Sequence, residues 1–208
     1  MAVESKTPAA GPVEETAGHS WYRDFVPSGA WREWGAVARI LLGFTFLWAF
    51  LDKAFGLGYT TKSASAWLFG FGDGSPTYGF LKFGSNPEGP FAGTFNGMAS
   101  QSPNAFLNWL FMFALAGVGV AFIAGIFMRL AAVGGALLLF LMYLAEAPWA
   151  KYTDASGATV AGNNPIIDDH IIYGVVMITL MLLMAGRTWG LGRWWESLGF
   201  VKKLPWLA

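Results

Sequence analysis

The sequence predicts an all-α membrane protein, a four-transmembrane-helix bundle with both termini in the cytoplasm and a long outer loop carrying interfacial or re-entrant helices. Three observations carry that reading. Of 208 residues, 55% are hydrophobic and only 12% charged, and a mean hydropathy of +0.46 lies well to the apolar side of soluble domains. Four apolar stretches, at roughly 35–56, 106–127, 130–147 and 165–186, each approach the ~20 helical residues that cross a hydrocarbon core. Lys and Arg are distributed unevenly between the connecting segments.

The same composition excludes several functions. A formal net charge of zero and no Lys/Arg cluster interleaved with aromatics give a nucleic acid nothing to bind. With no cysteine in the chain there is no disulfide, cysteinyl iron–sulfur cluster, thiol relay or attached c-type haem. Haem held by two histidines inside the bundle is not expected either, because His19 lies in a polar tail and His170 is the only other histidine. No metal is expected. A redox role must therefore use a bound organic cofactor or one borrowed from a partner.

Residues 1–20, MAVESKTPAAGPVEETAGHS, lack both a basic start and an apolar core, so they read as a disordered cytoplasmic tail and not as a signal peptide or span. Residues 21–208 form a single membrane domain. Its flanks, SWYRDFVPSGAWREW and RTWGLGRWWESLGFVKK, mix Trp with Arg and Lys and suit the cytoplasmic surface. The second and third spans form one apolar block too long for a single helix, and Arg129 marks the turn within it.

Placing both termini inside puts Lys6, Arg23, Arg32, Arg39, Arg129, Arg187, Arg193, Lys202 and Lys203 on the cytoplasmic side, against Lys53, Lys62, Lys82 and Lys151 outside: nine against four. The tryptophans collect near the two boundaries, leaving only Trp48 deep in a span. The 57–105 loop contains SASAWLFGFGDGSPTYGFLKFG. It is too rich in Phe and Gly for a free loop and reads as short helices capping the bundle.

Two groups of polar residues stand out against this background. On the first span, Arg39, Gly43, Phe46, Phe50 and Lys53 share one helical stripe, which should face the bundle. Arg39 by itself reads as a cation snorkelling to the interface. Asp52 and Lys53 together are harder to dismiss, because ionisable groups in a span pair or line a cavity.

The fourth span opens NNPIIDDHIIYGVVM from Asn163. Asn163 or Asn164 can cap it, Pro165 suits its first turn, and carboxylates suit the positive end of its dipole. Asp52 and Lys53, Tyr143 and Glu146, and Asp168, Asp169 and His170 all fall at the outer ends of their spans, so three helices converge on one polar layer. At 100° per residue Asp168 and His170 point nearly opposite ways. We expect Asp169 and His170 to face inward and Asp168 to cap the helix or face water. A carboxylate beside imidazole makes a proton donor and acceptor near neutral pH. The pair either moves protons or ties the fourth span to the first through Lys53, and the residues alone allow both.

The first span, R-I-L-L-G-F-T-F-L-W-A-F-L-D-K-A-F-G, resembles the DoxX family of small four-helix bacterial membrane proteins, whose first span commonly reads R-x-x-L-G-x-x-F followed by G-x-x-K. Arg39, Leu42, Gly43, Phe46 and Lys53 match, and Phe50 stands where the pattern has glycine. The fourth span, N-P-I-I-D-D-H-I-I-Y, is similar to the DoxD branch, the large subunit of thiosulfate:quinone oxidoreductase, through Asn164, Pro165, Asp168, Asp169, His170 and Tyr173. The likeness runs from about residue 35 to 195. It implies an enzyme of the bacterial cytoplasmic membrane that oxidises thiosulfate on the outer side and passes electrons to quinone, with a small partner subunit.

On that reading His170 with Asp169 supplies the proton, and Lys53 beside Asp52 bonds a quinone carbonyl. Arg39, Trp48, Phe50, Tyr143 and Tyr173 line the cofactor's site. Thiosulfate is a dianion and the mouth is acidic, so Lys53, a protonated His170 or a partner must supply positive charge. The competing expectation is a non-catalytic membrane subunit that recruits or stabilises a respiratory or redox complex. A solute transporter comes third, since four spans enclose little space.

Overall fold

Residues 29–68, 74–154 and 156–207 are described by the computed structural model. The 1–20 tail and most of the amino-terminal flank lie outside them. The chain is mostly helical: α1 (Ala30–Phe55), α2 (Ala92–Met98), α3 (Phe106–Ala124), α4 (Met128–Glu146), α5 (Asp169–Leu182), α6 (Gly192–Ser197) and α7 (Gly199–Lys203). Three of these, α1, α3 and α4, are long and apolar enough to cross a membrane, and α5 is a shorter apolar helix. The molecule is therefore built for a lipid bilayer. Leu41, Phe113, Val133 and Leu137 stand exposed on the three long helices, as apolar side chains facing lipid would.

The four apolar helices form a ring in the order α1, α3, α4, α5, with α1 packed chiefly on α3 and α4 on α5. Glycines set the closest crossing. A Cβ on Gly43 would lie 2.8 Å from Phe122 Cβ, and one on Gly119 would lie 2.7 Å from the Leu47 backbone nitrogen. The α1 and α3 backbones meet where neither carries a side chain, the usual device for close helix approach in lipid. Leu42, Phe46, Met112, Phe122 and Met177 fill the core between the helices.

Helix ends differ from the sequence expectation in four places. The turn between the second and third long helices is Gly125–Phe127, ahead of Arg129, because Gly125 takes a left-handed conformation (φ 73°) and its N–H closes α3 on Ala121 O at 2.8 Å. Arg129 belongs to the first turn of α4.

Second, α5 starts at Asp169 and not near Pro165. Asn164 Oδ1 accepts from the N–H groups of Ile166 (2.9 Å) and Ile167 (3.1 Å), holding the chain in an Asx turn that competes with helix. Third, the segment AWREW, expected to lie along the surface, is the first turn and a half of α1, which begins after Gly29 at φ 67°. Fourth, an antiparallel pair, β1 (Tyr152–Thr153) with β2 (Thr159–Val160), interrupts the all-α pattern between α4 and α5. Asp154 holds its turn by accepting from Ser156 Oγ (2.6 Å), Ser156 N and Ala158 N, and these bonds keep its pKa below the usual carboxylate value.

The 57–105 segment does carry short helices: a 3-10 turn at Ser63–Ser65, a π turn at Phe80–Gly84, and α2. Two buried asparagines fasten it to the bundle. Asn108, in the first turn of α3, accepts from Thr77 Oγ1 (2.6 Å) and Ser75 Oγ (3.1 Å) and donates to Ser102 O (2.9 Å). Asn86 donates to Ala147 O (3.2 Å) and Ala150 O (2.7 Å) just beyond α4. Ala147, where α4 stops, has φ 41° and closes the helix with its N–H on Tyr143 O at 3.0 Å. At the opposite end of the bundle α6 and α7 fold over the α3–α4 turn. Trp195, 8% exposed, packs with Val201 and Leu207 and donates to Leu207 O at 2.7 Å, while Trp189, Trp194 and Trp206 remain exposed.

Candidate functional site

The polar cluster sits where α5 begins and α4 ends. Asp168 is the N-cap of α5: its backbone is extended (φ −121°, ψ −174°) and its Oδ1 accepts from Ile171 N–H at 3.1 Å. Its other oxygen, Oδ2, lies 2.9 Å from His170 Nδ1. One carboxylate thus caps the helix and fixes the ring. Asp169 Oδ1 is 3.7 Å and Glu146 Oε2 3.9 Å from the same nitrogen. The His170 side chain is only 10% exposed, against 16% for Asp168, 40% for Glu146 and 71% for Asp169.

Asp168 caps the helix as expected, but it is also the aspartate that turns in to hold His170, whereas Asp169, expected to face inward, turns out. The 100° rule applies between residues that are both helical, and Asp168 is not. An N-cap side chain folds back over the first turn, which carries its carboxylate toward His170.

His170 also heads an apolar groove between α4 and α5, of about 330 Å³, lined by Ala136, Phe140, Ile171, Gly174, Val175, Ile178 and Thr179. The groove runs from residue 170 to residue 179, about 13 Å along the helix. Thr179 adds no free polar group, because its hydroxyl donates to Val175 O at 2.8 Å. With Nδ1 on Asp168, Nε2 on the far edge of the ring is the nitrogen without a partner among the described residues. The tautomer that follows from donation to a carboxylate carries its hydrogen on Nδ1 and a lone pair on Nε2; protonation makes both nitrogens donors.

Of the residues expected at the site, only His170 lines this groove. Asp52, 1% exposed, is captured by its own loop: it accepts from Thr60 Oγ1 (2.5 Å), Thr60 N (2.9 Å) and Tyr59 N (3.2 Å). The loop can turn back onto it because Gly56 and Gly58 adopt positive φ. Lys53 is half-buried, and no ion pair joins it to Asp52, Glu146, Asp168 or Asp169 among the described residues. The alternative in which Lys53 ties the first span to the fourth therefore has no ion pair behind it among the described residues.

The aromatic residues separate in the same way. Trp48 packs edge-on against Tyr59 at 5.1 Å, and Phe50 packs against the core. Both belong to α1, whose main neighbour is α3. Tyr143 donates to Ile166 O at 2.7 Å, tying the end of α4 to the chain before α5. Tyr173 is 38% exposed on α5.

Arg39 is at the other end of the bundle and does not snorkel. It is fully buried, and its guanidinium donates to the carbonyls of Phe122, Ile123 (2.7 Å), Thr188 (3.4 Å) and Trp189 (3.0 Å). Two of those carbonyls belong to the last turn of α3, where the helix has no internal donor and where a cation is favoured. The residue caps α3 and pins the chain after α5. It is placed for structure, bonded to the chain beyond the last turn of α5, whereas His170 lies in the first.

Glu146 falls in the polar layer that the sequence predicts, but nothing in the sequence assigns it a role, and the anchoring residues Asn108 and Asn86 do not stand out there. A single Asn in the run FLNWLF and a single Glu closing an apolar helix are the available signals. No family model, curated protein or solved structure matches the chain.

Proposed function

We propose that this chain is a quinone-binding membrane subunit of a thiosulfate-oxidising, DoxX/DoxD-like oxidoreductase. One observation carries the reading: a buried imidazole, oriented by a carboxylate on Nδ1, heads an apolar groove large enough for a quinone ring. A quinone is an apolar ring with two carbonyls, so it needs an apolar slot with one polar group at its end. Protonated His170 would hydrogen-bond a carbonyl through Nε2, and Phe140, Ala136 and Gly174 would flank the ring. The groove is lined by no Lys or Arg, and the three carboxylates around His170 outweigh the single charge of a protonated ring, so oxidation of thiosulfate is assigned to a partner subunit and electron acceptance to this one.

Four spans with N-in, C-in topology belong to the same proposal. Helix α5 is about 21 Å long and the hydrocarbon core about 30 Å. The exposed Ile166 and Ile167 on one side and the 3-10 turn Ala185–Arg187 on the other extend its reach. The nine-to-four basic asymmetry orients the bundle. Cysteines introduced at Ser63 and Ser156, both exposed, are expected to react with an impermeant reagent in intact cells, and one at Ser197 to be protected. Labelling at Ser197 with protection of the other two would invert the topology.

The functional test is thiosulfate-dependent quinone reduction by the purified protein, alone and with whatever co-purifies, alongside assay of bound quinone. His170→Gln is expected to keep the fold and slow turnover by about 100-fold. Partner activity untouched by that substitution, with no quinone bound to wild type, would replace this reading with that of a non-catalytic subunit that stabilises a redox complex.

A further inference from the structure

The cluster at the head of the groove has a second property that quinone binding does not use. Glu146, Asp168 and His170 each place one donor atom within 4.8 Å of the other two. They come from three backbone positions fixed by helix ends: the last residue of α4, the N-cap of α5 and its first turn. Donors held on helix termini cost little entropy to gather.

Charge also favours a cation here. Three carboxylates, Glu146, Asp168 and Asp169, lie within 4 Å of one imidazole nitrogen, and among the described residues no Lys or Arg pairs with any of them. Even a protonated His170 leaves the group with a surplus of negative charge. The imidazole, nine-tenths buried, adds the ligand that a merely acidic surface lacks.

We propose that Glu146, Asp168 and His170 bind a divalent first-row transition ion, with His170 Nδ1 and one oxygen from each carboxylate as ligands. The donor set selects the class. Imidazole suits Zn²⁺ or Fe²⁺ better than Ca²⁺ or Mg²⁺, carboxylates admit Mn²⁺, and with no thiolate nothing favours Cu⁺. Bonds of about 2.0–2.2 Å to a shared ion require donor separations of roughly 3.0–3.5 Å. His170 Nδ1 to Asp168 Oδ2, at 2.9 Å, is already there. Glu146, the more exposed partner, closes the remaining gap by side-chain rotation. Binding takes the Nδ1 lone pair: a neutral ring moves its one hydrogen from Nδ1 to Nε2 with no net release, and a protonated ring gives its Nδ1 proton to solvent and keeps Nε2–H. The ion and the groove thus use different nitrogens of one ring, and the metal site stands whether or not a quinone binds.

The test uses the full chain, purified in detergent with any affinity tag removed, stripped with a chelator, freed of quinone, and titrated with ZnCl₂ and MnCl₂ by calorimetry. The expected result is one ion of at least one of these metals per chain and a higher melting temperature. Glu146→Gln, His170→Gln and Asp168→Asn should each weaken binding at least tenfold. Asp168→Asn is the most telling, since Asn caps a helix as well as Asp does, so that variant removes the ligand charge without unseating α5. Glu88→Gln, at an exposed carboxylate, and His19→Ala should leave the titration unchanged. No binding of either ion, or binding unaffected by both Glu146→Gln and Asp168→Asn, overturns the proposal. Bound quinone in wild type with a failed titration would overturn the ion alone, and a normal titration without bound quinone would overturn the groove reading alone.

Discussion

Arg39→Leu is expected to destabilise the bundle by about 3–5 kcal/mol, the range measured when one partner of a buried charged network is removed. The substitution strips donors from the carbonyls of Phe122, Ile123, Thr188 and Trp189 at once, and these carbonyls cannot find one another as partners. Nor can water readily replace the guanidinium. A Cβ on Gly125 or Gly190 would lie 3.1 or 3.0 Å from its nitrogens, and Gly186 and Gly192 pack the same corner. Arg39→Lys should recover only part of the loss, because a single ammonium cannot span two carbonyl pairs as a planar fork does. Thermal unfolding in detergent is the measurement, with Lys62→Leu, an equal change of charge at an exposed residue, as the reference. Matching melting temperatures for Arg39→Leu, Lys62→Leu and wild type would remove Arg39 from the fold's supports.

What can be read from the chain divides along a physical line. Apolar length and periodicity are local properties, so the long helices are legible to within a few residues except at the start of α1. Of the four stretches that the hydropathy marks, three are helices long enough to span and the fourth holds the shorter α5. Polar partnerships are not local. The span boundaries read from the sequence put Asp52 and Lys53 at one depth with His170, and depth alone suggests one layer. Which carboxylate meets which cation depends on helix neighbours and loop closure: α1 packs on α3, and the loop after Gly56 returns to take Asp52.

That Asp168, and not Asp169, turns toward His170 has a comparable origin. Helical angles hold only from Asp169 onward, because the Asx turn of Asn164 keeps the backbone before it out of the helix. Arg39 resembles a snorkelling cation in the sequence because the glycines that make room for it, at 125, 186, 190 and 192, lie far away along the chain.

The groove reading yields the sharpest separation of ligand binding from folding. Gly174 lines the groove facing Ala136, and a Cβ placed on it would lie 3.9 Å from Ala136 Cα and Cβ, an ordinary contact. A longer side chain at this position projects into the space assigned to the ring. Gly174→Leu is therefore expected to lower bound quinone at least about tenfold, matching the ~1–3 kcal/mol typical of a misfit in an apolar pocket. It should leave the melting temperature unchanged or higher, since Leu favours helix over Gly by up to about 1 kcal/mol. Gly134→Leu supplies the control: the same bulk on the exposed side of α4, where a Cβ would meet nothing within 4 Å. Loss of quinone from both variants would point to a general disturbance of the α4–α5 pair. Quinone retained at wild-type levels by Gly174→Leu would mean that the ring does not lie in this groove, and the oriented His170 would then need another occupant.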